Sequence, residues 1–184
     1  MSTNDYVFVT HWRVPGTCAE VYDVLRRAED LPRWWPSVYL EVRTIVPAGP
    51  HGLGGEVDLH TKGWLPYTLR WRSKVVATDH PWGFTLVASG DFEGAGTWRF
   101  RQAGAEVAIE FDWRIRADKP LLRWSSWLLK PLFAANHRWA MRQGEASLRL
   151  ELMRRREPDE TAPQGLPPPP GATSNCHRPK PAAR

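Results

Sequence analysis

PLLRWSSWLLKPLFAANHRWAMRQGEASLRLELMRRR, residues 120–156, follows a block of strand-like sequence rich in tryptophan. Phe133, His137, Met141, Gly144, Leu148 and Leu152 recur at spacings of three and four, so they fall on one stripe of a single helix. A helix from Pro120 to Arg156 would be about 50 Å long, more than simple cover for a small sheet requires. Gly144 sits within the stripe, and its missing side chain lets another backbone or a ligand approach. His137 places a titratable ring on the same apolar face. One long helix across a curved sheet can enclose a cavity, and the cavity is expected to be the working part.

Upstream the chain reads as strands. Val107, Ile109, Phe111, Trp113 and Ile115 alternate with Ala108, Glu110, Asp112 and Arg114, giving one dry and one wet face. Gly96–Gln102, Trp82–Ser89, Tyr67–Thr78, Gly55–Thr61 and Val38–Val46 follow the same rule between Gly, Pro and Asp turn signals. Tyr6–Val14 forms a first strand, ended by Pro15-Gly16. Thr17 and Glu20 fit a capping box that opens a short helix. Asp30-Leu31-Pro32 ends that helix before a second helical turn at Arg33–Trp35. Seven strands, two short helices after the first of them and one long terminal helix, without βαβ repeats, give an α+β fold built on an antiparallel sheet.

Residues 1–156 therefore form one domain. Beyond them, 157–184 carries Pro167-Pro168-Pro169-Pro170 and few bulky apolar residues, and is expected to be a disordered Pro-rich tail.

Composition narrows the function classes. The formal charge is +5, and with three acids and three bases in 157–184 the excess lies in the domain. Such a charge favours anionic surfaces without selecting one. Nucleic acid is not expected, because no basic stripe with accessible aromatics is evident. A transient membrane-surface contact that aids ligand transfer is the lesser expectation. The arginines closing the last helix are explained by its dipole alone. Two cysteines, Cys18 and Cys176, give neither a disulfide frame nor metal-ligand spacing, so no metal and no cofactor is expected. MSTNDYVFV is not a signal peptide and no apolar run is long enough to span a membrane, which makes the cytoplasm the expected location. Nothing in the pattern sets an oligomeric state. Eleven tryptophans exceed what a core of this size requires and suit a pocket wall.

The element order and its landmarks resemble the START/SRPBCC superfamily, the helix-grip fold, and within it the branch of polyketide cyclase/dehydrase and lipid transport. The residues that carry the likeness are Val14-Pro15, Glu20-Val21-Tyr22 and Leu31-Pro32-Arg33-Trp34-Trp35-Pro36. Further along they are Gly63-Trp64-Leu65-Pro66-Tyr67, the stretch from Gly90 to Trp98, and Asn136-His137-Arg138-Trp139-Ala140-Met141. The resemblance implies a deep pocket between sheet and terminal helix that takes lipids, polyketides or isoprenoid-like molecules. Some relatives carry such molecules; others cyclise or dehydrate them. One scaffold serves many chemistries, so the choice rests on the site.

The expected ligand wall is Trp71, Phe84, Leu86, Trp98 and Trp113 from the dry face, with Phe133, His137 and Met141 from the helix. Trp64, in the loop Gly63-Trp64-Leu65-Pro66, either folds over the pocket mouth or packs on the core. His137 could orient a carbonyl or hydroxyl, move a proton, or be a core histidine bonded to a carbonyl or an acid. Asp91 and Glu93, two apart in a glycine-flanked turn, are the carboxylates that acid–base catalysis could use; exposed turn acids are the plain alternative. The leading expectation is binding of a small apolar or amphipathic molecule, and the alternative is a cyclase or dehydratase in the same cavity.

Overall fold

Alternation of bulky and small or polar residues along 5–15 and 106–116 produces two strands that pair over their whole length, from Asp5 opposite Arg116 to Pro15 opposite Glu106. In the computed structural model, which describes residues 5–116, 126–156 and 166–173, they are β1 (Asp5–Pro15) and β7 (Glu106–Arg116). Between them in sequence come α1 (Cys18–Leu25), α2 (Leu31–Trp34), β2 (Tyr39–Val46), β3 (Glu56–Lys62), β4 (Thr68–Asp79), β5 (Gly83–Gly90) and β6 (Glu93–Ala103). The long helix, α3, runs Ser126–Arg156. All strand pairs are antiparallel in the order β1-β7-β6-β5-β4-β3-β2. The chain thus crosses from one sheet edge to the other through α1 and α2, then meanders back.

The expected start of the long helix at Pro120 lies outside the described residues. Pro131 sits inside α3, whose 31 residues span about 46 Å. The capping box of α1 forms as read: Glu20 N–H donates to Thr17 Oγ1 at 3.3 Å and Thr17 N–H to Glu20 Oε2 at 2.7 Å. Pro32 does not merely break a helix; it occupies the first turn of α2, where a missing N–H costs nothing. Trp82 departs from its expected in-phase place. It precedes β5, in the turn after Pro81, and is half exposed. Among the described residues no helix is long and apolar enough to cross a membrane.

Packing along α3 is uneven. Its C-terminal half is embedded, with Leu148 and Leu152 almost fully buried alongside Val14, Val21, Trp34 and Val107. Glu151 is buried with them, held by both guanidinium nitrogens of Arg33 at 2.8 and 2.7 Å and by Arg155 at 2.7 Å. Arg155 also reaches Asp30, and Arg156 reaches Glu20, so the terminal arginines pin the helix to α1 and α2.

The close approach expected at Gly144 is made by an indole. A Cβ there would lie 2.2 Å from the Trp35 ring. Gly144→Val should therefore destabilise the fold by about 2 kcal/mol, because overpacking a rigid buried ring outweighs the few tenths gained from helix propensity. Urea unfolding measures it; a variant as stable as the parent would mean that the Trp35 ring can slide aside.

Candidate functional site

The N-terminal half of α3 does not fill the sheet's concavity. A cavity of about 210 Å³ remains between the helix segment 133–141 and the inner face of the sheet. It is larger than the roughly 150 Å³ apolar hole that admits a benzene ring. Its walls follow from strand alternation: Tyr6 and Phe8 from β1, Phe111, Trp113 and Ile115 from β7, Leu69 and Trp71 from β4. Trp35, behind its contact with Gly144, also lines it, as do Val38 and Tyr39.

The rings form a continuous surface. Trp98 stacks on Phe111 with centroids 4.0 Å apart, and Phe111 on Trp113 at 5.5 Å. Gly96 makes this possible, since a Cβ there would fall 2.5 Å from the Trp113 ring. Trp71 closes the series 5.8 Å from Trp113, and its indole N–H is spent on Thr61 Oγ1 at 3.1 Å.

Of the expected wall, Trp71, Leu86, Trp98 and Trp113 from the sheet and Phe133, His137 and Met141 from α3 line this cavity. Phe84 does not. It starts β5 at the filled end, where it meets Tyr22 edge-on at 5.7 Å and Phe100 at 6.3 Å. Trp64 also stays out of the lining. Its loop is clamped instead by Asn136, whose Oδ1 accepts the N–H groups of Trp64 at 2.9 Å and Leu65 at 3.3 Å. Asp91 and Glu93 flank Phe92, and Phe92 takes the inward position. Alternation therefore turns both carboxylates away from the cavity. Asp91 accepts the Arg70 N–H at 2.8 Å and so secures the β5–β6 turn, while Glu93 is exposed.

His137 lies on the cavity wall with its ring stacked on Phe8, centroids 4.2 Å apart. Its Nε2 is buried and has no hydrogen-bond partner among the described residues, so the core-histidine alternative lacks its bond there. Burial, helped by the charge on Arg138, pushes its pKa down to about 4, and the ring is neutral at pH 7. Burial likewise pushes the Tyr67 phenol up to about 12 and raises Tyr39, which keeps both hydroxyls protonated.

Lys62, Tyr67 and Asn136 complete the rim. Lys62 was hidden from pattern reading: Thr61 holds the inward phase of β3, yet Lys62 at the strand end is also buried. A broader depression of about 570 Å³ on β2–β5 is lined by charged groups, among which Asp58 already holds Arg72 at 2.7 Å and Arg43 at 3.2 Å.

Residues 166–173 of the Pro-rich stretch lie against this rim. Within 166–173, Arg154 donates to the Pro167 carbonyl at 2.6 Å, Lys62 Nζ to the Thr173 carbonyl at 2.5 Å, and Thr173 Oγ1 to the Gly63 carbonyl at 3.4 Å. Residues 157–165 and 174–184 lie outside the described residues.

Three known folds superpose well. A protein from Thermus thermophilus matches at 15% identity and TM-score 0.66 over 83% of this chain and 100% of that one. The Zhui aromatase/cyclase from Streptomyces sp. R1128 matches at 14% and 0.65, over 83% and 96%. A START superfamily protein from Mycobacterium smegmatis matches at 11% and 0.64, over 80% and 97%. At such identities they speak for the fold alone. No curated protein matches the sequence. The family model for polyketide cyclase / dehydrase and lipid transport, however, matches residues 7–152, nearly the whole domain. The chain therefore belongs to that family, and its seven-stranded sheet gripping a terminal helix is the fold it shares with the START superfamily protein.

Proposed function

We propose that the protein binds a compact, ring-bearing apolar molecule between α3 and the sheet. The observation that carries this reading is an aromatic-walled cavity in which one neutral imidazole keeps an unpartnered Nε2. Apolar contact supplies affinity at about 25 cal/mol per Å² buried, and a carbonyl or hydroxyl on the ligand satisfies His137. Trp35 Nε1, also without a partner among the described residues, belongs to a second lining ring.

A cyclase or dehydratase in the same cavity, suggested by the family and by the Streptomyces relative, needs a group that exchanges protons near neutral pH. His137, with a pKa of about 4, is poorly placed to do so, and neither Asp91 nor Glu93 reaches the cavity. Carriage is therefore the better supported reading.

Fluorescence titration with the neutral probe N-phenyl-1-naphthylamine tests it. The parent protein should bind the dye, and Ala140→Trp, which projects an indole into the cavity from α3, should weaken binding by at least about 10-fold, the loss of roughly 1.4 kcal/mol of contact. A parent that fails to bind the probe, or a plugged variant that binds as well, would remove the proposal.

A further inference from the structure

Among the described residues lining the cavity, Lys62 alone is a lysine or arginine, and it is only 4% exposed. A buried ammonium normally faces a carboxylate, because hydrogen bonds to neutral groups only partly replace lost water. Among the described residues Lys62 has no such partner. Its Nζ instead donates to the main-chain carbonyl of Thr173, from the proline-rich segment.

That segment is lightly held. It runs from the last turn of α3, where Arg154 takes the Pro167 carbonyl, to the rim, where Thr173 meets Lys62 and Gly63. Pro167, Pro168, Gly171 and Ala172 are exposed, so little apolar surface fastens it down. A carbonyl dipole is a weaker partner for an ammonium than a full negative charge. Among the described residues the lining offers one lysine and no arginine, which suits a singly charged head better than a dianionic phosphate.

We propose that Lys62 recognises the carboxylate of an otherwise apolar ligand, and that residues 166–173 cover it until the ligand displaces the Thr173 carbonyl. This rests on the binding function proposed above and names the ligand class, an amphipathic acid. The net charge of +5 draws such an acid toward the protein.

Two probes with the same rings separate the ideas: naphthalene-2-carboxylate and 2-naphthalenemethanol, titrated into the full-length protein at pH 7.5. The acid should bind at least about 10-fold more tightly than the alcohol, the ordinary worth of a hydrogen bond to a charged group. Lys62→Met, and Lys62→Gln should Met fail to fold, should bring the acid down to the alcohol's affinity, whereas Lys62→Arg should keep much of the preference. Equal affinity for acid and alcohol in the parent protein overturns the role of Lys62 and leaves the apolar cavity standing. Binding of neither probe removes the cavity reading and this one with it. The tail gives an independent signal. A nitroxide on Ala172→Cys, in a Cys176→Ser background where the remaining Cys18 is buried, should become more mobile with the acid and not with the alcohol. A spectrum unchanged by saturating acid overturns the displacement.

Discussion

Glu151→Ala should cost about 3 kcal/mol of folding stability, the lower end of what breaking a buried ion pair costs. The carboxylate is 1% exposed, whereas the side chains of Arg33 and Arg155 are 54% and 29% exposed. Freed of Glu151, the arginines recover water, which is why the upper end is not expected. What is lost is the bidentate bond to Arg33, the bond to Arg155 and the tie between α2 and α3. Burial works against ionisation of Glu151, but the hydrogen bonds from Arg33 and Arg155 outweigh it and hold the carboxyl below its usual range. A folded pKa below the unfolded one gives stability that is full above the unfolded value and disappears as pH falls through the folded value. The variant should accordingly lose its deficit in strong acid. Urea unfolding at pH 7 decides the matter, and a deficit under about 1 kcal/mol, the worth of a surface pair, would mean the network holds little.

The second large effect has the opposite chemical origin and a separate pH window. His137 has a folded pKa of about 4 against 6.5 unfolded, because burial disfavours its charged form. Between those values the unfolded chain binds the proton and the folded one does not, so stability falls as pH falls. Across the window the loss amounts to about 3 kcal/mol, at 1.36 kcal/mol per pH unit. His137→Phe, which preserves a ring against Phe8, should remove that slope and leave the variant more stable than the parent at pH 4.5. His60 is also lowered by burial, but it titrates in both proteins and cancels in the comparison. Chemical denaturation at half-unit steps from pH 7 to 4.5 would show it. Parallel curves would mean that the imidazole is not shielded from water.

How much was legible beforehand depended on the kind of question. Alternation along β7 and β1 announced the face each residue takes, and the turn at Gly90 and Asp91 announced where β5 ends, so the sheet and its dry side could be read. Period tells the face of a strand but not the height along it. Phe84 and Met141 both belong to expected inward faces, yet Phe84 lies where Tyr22 and Phe100 fill the concavity and Met141 borders the cavity. The same blindness applied to α3. Its stripe contains both the cavity side chains Phe133, His137 and Met141 and the embedded Leu148 and Leu152, with no change in spacing between them. Asn136 joins helix to loop across 72 residues of sequence, a relation no local pattern encodes. Lys62 needed tertiary context as well, since a strand-end lysine ordinarily projects into water.

The lopsided packing along α3 bears on how such a protein can diversify. The residues that keep the chain folded, around Leu148, Glu151 and Leu152, are far along the helix from those that would greet a guest near His137. Distant sites contribute to stability almost independently. Substitutions at the hollow end can thus redraw the shape of what is accepted while the anchored end goes on supplying the fold, which is how a single architecture comes to be retuned from one small molecule to the next.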